Sequence, residues 1–186
     1  MSTLDIVGLC GSLRSGSVNR AALKLAGSLM PESMRLEIVE WREVPSFDAD
    51  VFAKGYPAPV QALRDRIARA DGLVIATPEY NFSIPGAFKN AIDWVSRGED
   101  QPFAHKPVAL LSASPGPLGG ARVQYDVRRV MLFVNAMVLV KPEVFIGGAG
   151  GKFDAEGNCA DETTRKFVGD QMKSFEKWIG AVKRMA

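Results

Sequence analysis

The chain is poor in the side chains that hydrolytic and metal chemistry most often use. It has one histidine, His105, and two cysteines, Cys10 and Cys159, in 186 residues. A Ser–His–Asp triad would have to be built around His105. That residue lies in Gln101-Pro-Phe-Ala-His-Lys-Pro107, a loop just ahead of an apolar run, and reads as surface. The same scarcity leaves little with which to ligate a transition metal, so no metal site is expected. Two thiols are too few for a disulfide framework, and Cys10, at the end of an apolar run, reads as a small apolar residue. Long hydrophobic runs are missing as well. The longest, Val130 to Val140, is interrupted by Asn135 and falls short of the roughly 20 residues of a membrane helix. The first residues lack the basic segment and apolar stretch of a secretion signal, so a cytoplasmic location is expected. Nor does one sign of charge dominate: 23 Lys and Arg face 21 Asp and Glu, leaving +2, which argues against a nucleic-acid partner. An enzyme built from this set would draw its hard chemistry from a cofactor.

What the chain does have is a regular alternation of apolar runs and helical segments, and no internal repeat. Strands are expected at Leu4–Cys10, Arg35–Trp41, Gly72–Ala76 and Val108–Ala113, with a fifth from Met137–Val140 and Val144–Ile146, broken at Pro142. Helices are expected at Val18–Met30, Pro59–Ala70, Gly86–Ser96 and Arg122–Phe133, and from Asp161 to about Val182. Ala87, Ala91, Trp94 and Val95 are expected on the buried face of the third helix, and Phe167, Phe175, Trp178 and Ile179 on that of the last. The stretch Arg42–Pro57 reads as a loop whose aromatics either line a pocket or pack beneath it. A β-α-β-α rhythm with near-continuous apolar strands implies a parallel sheet with helices on both faces. Five strands suit the flavodoxin-like order 2-1-3-4-5, in one domain over residues 1–186. Ligands of such sheets bind beyond the carboxyl ends of the strands, which singles out the loops Gly11–Asn19, Thr77–Pro85 and Ser114–Gly120.

The first loop, Gly11-Ser-Leu-Arg-Ser-Gly-Ser-Val-Asn19, sits between a strand and a helix. Free N–H groups and the helix dipole at such a junction suit an anion. Ser12, Ser15, Ser17 and Asn19 add side-chain donors, and Arg14 adds a fixed charge. Gly11 and Gly16 have the glycine spacing of the ATP-binding loop, but Ser17 and Val18 replace its lysine and hydroxyl. The dinucleotide fingerprint is also absent. A single phosphate monoester fits what remains, and a serine-rich cap of the helix is the plainer alternative. The second loop, Thr77-Pro-Glu-Tyr-Asn-Phe-Ser-Ile-Pro-Gly86, offers Tyr80 and Phe82 beside stiffening prolines, either as the wall of a flat ring or as core packing. The third, Ser114-Pro-Gly-Pro-Leu-Gly-Gly120, offers a hydroxyl and close backbone approach, or is simply a glycine-proline loop.

Four stretches together carry a family resemblance: residues 11–19, Thr77-Pro-Glu-Tyr-Asn81, Pro85-Gly-Ala-Phe-Lys-Asn-Ala-Ile-Asp-Trp94 and Gly119-Gly-Ala-Arg122. In order and over nearly the whole chain, they resemble the NADPH-dependent FMN reductase family, in particular its bacterial quinone and chromate reductases. The resemblance implies a flavodoxin-like fold, bound FMN, NAD(P)H as donor, and two-electron reduction of quinones in ping-pong turnover. Chromate and other metal oxyanions, nitro and azo compounds are implied as incidental acceptors. By position, Ser12, Arg14, Ser17, Val18 and Asn19 would hold the FMN phosphate. Pro78, Glu79, Tyr80 and Asn81 would border the isoalloxazine, chiefly through backbone amides, and Ser114 and Gly116 would sit at its pyrimidine edge. No side chain is implied as a catalytic acid or base. A homodimer or homotetramer is implied, with the 86–96 helix at a subunit contact. A non-enzymatic flavodoxin-type electron carrier is the alternative, although such carriers are strongly acidic and this chain is not. A hydrolase would need a G-x-S-x-G elbow, which is missing.

Overall fold

The computed structural model of the protein describes residues 3–185; residues 1, 2 and 186 of the expected domain lie outside the described residues. The elements run β1 (Leu4–Cys10), α1 (Val18–Ser28), β2 (Met34–Ile38), α2 (Ala49–Phe52), α3 (Ala58–Arg69), β3 (Gly72–Ala76), α4 (Gly86–Val95), β4 (Pro107–Ala113), α5 (Ala121–Phe133), β5 (Met137–Val138), β6 (Val144–Ile146) and α6 (Glu162–Lys183), with one 3-10 turn at Ala149–Gly151. The sheet is wholly parallel in the order β2-β1-β3-β4-β5, and β6 also pairs with β4.

Side chains alternate across each continuous apolar strand. Ile6, Val74, Ala109 and Leu111 face α1 and α6, where they meet Leu23, Val168, Met172, Phe175 and Ile179. Val7, Leu9, Ile75 and Leu110 face the other way, onto Leu63, Ile67, Phe88, Ile92, Val123 and Val127 of α3, α4 and α5. Both faces are therefore covered, which is why these strands read as unbroken hydrophobic runs. Among the described residues no helix is long and apolar enough to cross a membrane.

Several details differ from the sequence-based expectation. The fifth strand is two short pieces, because the chain leaves the sheet around the cis Lys141–Pro142 bond and returns at Val144. Two buried glutamines bridge the break, one on each face. Gln171 of α6 donates to Leu110 O and Pro142 O, and Gln124 of α5 donates to Ser112 Oγ and Val144 O. Strand β2 stops at Ile38; Trp41 beyond it is buried in a turn, where its indole N–H donates to Cys10 O at 2.8 Å. The 42–57 stretch contains the one-turn helix α2, capped by Asp48. Its aromatics pack on one another and on α4: Phe47, at the surface, meets Trp94 edge-on at 4.8 Å, and Phe52 lies 5.3 Å from Tyr56. On α4, Phe88 is buried and Ala87 is exposed. On α6, Val168, Met172, Phe175 and Ile179 form the inward stripe, so Phe167, one residue off that spacing, is 54% exposed.

Candidate functional site

The three loops named from the sequence all leave the carboxyl edge of the sheet, and specific contacts draw them together. Gly11 begins the first loop. Its N–H donates to Ala76 O at 2.8 Å, and a Cβ there would lie 2.1 Å from Thr77 Oγ1, so only glycine lets the first loop rest against the second. Asn19, in the first turn of α1, reaches the end of β4. Its amide donates to Ala113 O and its carbonyl accepts Ala113 N–H, both at 2.9 Å. That joins the first loop to the third. Glu79 joins the second to the third: one oxygen accepts from Arg122 Nε at 2.6 Å, the other from Val123 N–H at 3.3 Å in the first turn of α5.

The first loop is arranged as an anion cradle. Ser17 caps α1, its hydroxyl accepting Arg20 N–H at 3.4 Å, and it is buried beside Cys10, whose Sγ lies 3.8 Å away. Burial pushes the Cys10 thiol pKa up, keeping it a neutral packing group. Among the described residues, the N–H groups of Ser15, Gly16, Ser17, Val18 and Asn19 find no protein acceptor. Gly16 has open space where a Cβ would stand, nothing lying within 4 Å. Ser12 is buried and its oxygen accepts Arg14 N–H at 3.3 Å, which leaves its own proton to donate. Arg14 is exposed, with no carboxylate partner among the described residues. Uncovered amides at a helix start, two hydroxyls and a free guanidinium suit a phosphate monoester.

Asn19 sits in this cradle differently from the sequence reading. Its side chain is 1% exposed and committed to Ala113. Only its backbone N–H remains for an anion. Glu79 is likewise an anchor, its carboxylate committed to α5 and its side chain only 9% exposed. In the second loop Tyr80 and Ser83 pair their backbones, so Tyr80 N–H is used internally while Glu79 and Asn81 N–H are not. Tyr80 and Phe82 are 53% and 68% exposed, so neither ring is core packing. Pro78 is half-buried at the loop's start, its carbonyl accepting from Thr77 Oγ1 at 3.1 Å. In the third loop Gly116 N–H donates to Ser114 Oγ at 3.1 Å, so the free donor is the Ser114 hydroxyl proton rather than the Gly116 amide. The segment behind this loop, Ile146 to Ala149, holds it through Ser114 N–H to Ile146 O at 3.0 Å and Ala149 N–H to Ser114 O at 3.0 Å.

His105 lies elsewhere. It precedes β4, whereas the loop serines follow the strands, and a seven-residue strand separates those edges by about 20 Å. A serine–histidine pair is therefore ruled out by position.

With the geometry in place, comparison with known proteins identifies the family. The sequence pattern described as NADPH-dependent FMN reductase matches residues 4–151. The chain belongs to that family. It is 44% identical over 176 residues to an NAD(P)H-dependent FMN reductase of Pseudomonas aeruginosa, covering 95% of each chain. It is 44% identical over 183 residues to a quinone reductase of Escherichia coli K12, covering 97% of each. Among solved structures, the flavoenzyme NAD(P)H:(acceptor) oxidoreductase FerB of Paracoccus denitrificans superposes with a TM-score of 0.88 at 32% identity, over 96% of this chain and 98% of that one. Family membership makes this chain an oxidoreductase with the flavodoxin-like fold, FMN as its cofactor and NAD(P)H as its electron donor.

Sequence reasoning overlooked Arg122 as part of the site. It appears in the Gly119–Arg122 motif, but its partner Glu79 is 43 residues away.

Proposed function

We propose that this FMN reductase reduces quinones by two electrons at the expense of NAD(P)H, with chromate and other metal oxyanions, nitro and azo compounds as incidental acceptors. The observation that carries the reading is the cradle of unpaired amides at Ser15–Asn19, held against two further loops by the Gly11–Thr77, Asn19–Ala113 and Glu79–Arg122 contacts. Ser12, Arg14, Ser17 and the amides of Val18 and Asn19 would hold the FMN phosphate. Pro78, Glu79, Tyr80 and Asn81 would border the ring through their backbone, and Ser114 with Gly116 would meet its pyrimidine edge. When bound, FMN supplies hydride acceptance from the donor and hydride transfer to the acceptor. The chain's own residues bind and orient: the helix dipole and Arg14 balance the phosphate charge, and the Glu79 and Asn81 amides are free to donate to ring heteroatoms. The exposed rim at Tyr80 and Phe82 leaves room for a flat acceptor. The quinone reductase relative supports this choice of acceptor.

The same reading places one domain in the cytoplasm as a homodimer or homotetramer. Leu132 and Phe133 on α5 are 79% and 84% exposed beside a groove of about 390 Å³ between α4 and α5, which supports a subunit contact there. Light scattering on the purified protein tests the assembly.

The function is tested by recording the visible spectrum of purified protein with added FMN, then following NAD(P)H oxidation with quinone, chromate and an azo dye in turn. Flavin uptake and rapid quinone-dependent oxidation are expected. Protein that takes up no FMN sinks the reading, and flavin uptake without turnover would instead identify an electron carrier.

A further inference from the structure

The loop between β3 and α4 holds two successive residues in the left-handed region, Asn81 at φ 49° and Phe82 at φ 68°. They are the central pair of a tight hairpin closed by Tyr80 N–H to Ser83 O at 3.0 Å and Ser83 N–H to Tyr80 O at 2.9 Å. A two-residue turn of this hand favours Asn followed by Gly. Asn81 suits the first place. Phe82 does not suit the second, because its Cβ crowds the following carbonyl at positive φ. Nor does core burial compensate, since the ring is 68% exposed.

What meets the ring is Arg122, whose guanidinium carbon lies 3.8 Å from its centroid. Arg122 is itself fixed, its Nε 2.6 Å and a terminal nitrogen 2.5 Å from Glu79 Oε1. Glu79 is fixed in turn by Val123 N–H at the start of α5, where the helix dipole favours a carboxylate. A continuous set of contacts therefore runs from α5 through Glu79 and Arg122 to Phe82. Strained backbone persists where its surroundings over-determine it, and these contacts are the surroundings.

We infer that Arg122 is a positioning residue: by clamping Glu79 and stacking on Phe82 it holds the 80–83 hairpin in its left-handed turn, and so fixes the 78–81 backbone at the flavin. The step to the flavin rests on the proposed function; the clamp on the hairpin does not. With glycine at position 82 the turn would hold itself. With phenylalanine, its geometry depends on a side chain from α5, so α5 and the flavin-bordering loop are coupled through one guanidinium.

The test uses the full chain as wild type, Arg122→Ala, Phe82→Gly and the double variant. Amide hydrogen exchange at Tyr80 and Ser83 is measured without flavin, and FMN affinity by titration. Arg122→Ala is expected to speed exchange at both amides, and to weaken FMN binding, each by about tenfold, the scale of a cation–π contact with its supporting ion pair. In the Phe82→Gly background the same substitution is expected to speed exchange by less than about twofold, because glycine adopts the turn unaided, and to weaken FMN binding clearly less than it does in wild type, only the Glu79 contact being left to lose. Arg122→Lys, which keeps the charge but not the planar fork, should restore only part of the protection. Unchanged exchange in Arg122→Ala overturns the clamp. An equal loss of FMN affinity in both backgrounds also overturns it, since the stack on Phe82 would then have no part in how Arg122 acts on the flavin site. If wild type binds no FMN, the proposed function fails, and the exchange data still decide the clamp.

Discussion

The carboxamide of Asn19 and the backbone of Ala113 form a closed pair of hydrogen bonds, each 2.9 Å long, between the first turn of α1 and the last residue of β4. Both partners are buried. The pair spans 94 residues of sequence and fixes how the phosphate-type loop stands relative to the loop that follows β4. Asn19→Ala removes both bonds and leaves a buried N–H and C=O unpaired, which should cost about 2–4 kcal/mol of stability. Urea unfolding measures this. FMN retention should fall along with it, since the cradle loses its support.

Gly16 separates cradle chemistry from folding. Its Cβ position is open, with nothing within 4 Å. Gly16→Asp should therefore leave the melting temperature nearly unchanged while placing a carboxylate among the amides meant for phosphate. FMN affinity is expected to fall by about tenfold or more, and to recover in part as salt screens the repulsion. Parallel thermal melts and flavin titrations check both halves; a variant that binds FMN as wild type does would remove the anion from this loop.

Arg64 of α3 has a side chain only 3% exposed and binds the segment after α4. Its guanidinium donates to Val95 O, to Arg97 O at 2.8 Å, and to Asp100 through both O at 3.0 Å and Oδ1 at 2.6 Å, with its carbon 4.2 Å from the Tyr56 ring centroid. Arg64→Met keeps much of the volume but orphans these carbonyls. A loss of about 2–4 kcal/mol is expected by chemical denaturation.

Asp71 gives stability a pH dependence at the far edge of the sheet. Its carboxylate accepts Asp5 N–H at 2.8 Å and Lys183 Nζ at 2.6 Å, tying β1 and the end of α6 to the start of β3. Burial pushes its pKa up, but the Lys183 hydrogen bond and the Asp5 N–H outweigh that and hold it below the ordinary 3.8. The unfolded chain therefore binds this proton more readily. The contribution is complete above the ordinary carboxylate value and is lost as pH falls through the folded-state value. The urea midpoint of wild type should drop more steeply between about pH 5 and pH 3 than that of Asp71→Asn.

The fold was largely legible because its signals are local. Apolar runs at β1, β3 and β4, glycine and proline at the loops, and helical spacing between them require no knowledge of distant partners. The same locality marked the three loops, since a strand–loop–helix junction rich in serine and glycine presents unpaired amides whatever surrounds it. Where local spacing was ambiguous it misled: Phe167 lies one residue off the inward stripe of α6, and the strand expected through Val140 left the sheet before Pro142.

Local patterning is enough to show that β-strands and helices alternate, that the first loop has the amides and hydroxyls for a monophosphate, and that histidine and cysteine are too few to carry the chemistry. What the polar side chains do there is set by contacts between distant segments. Asn19 and Glu79, read as neighbours of the ligand, spend their hydrogen-bonding capacity on Ala113, Arg122 and Val123. Gly11 is required because Thr77 lies where its Cβ would stand. Phe82 keeps a turn suited to glycine because a guanidinium from α5 lies on its ring. A side chain's role at a site depends on which donors and acceptors come within about 3 Å of it, and here those come from segments 43 to 94 residues away.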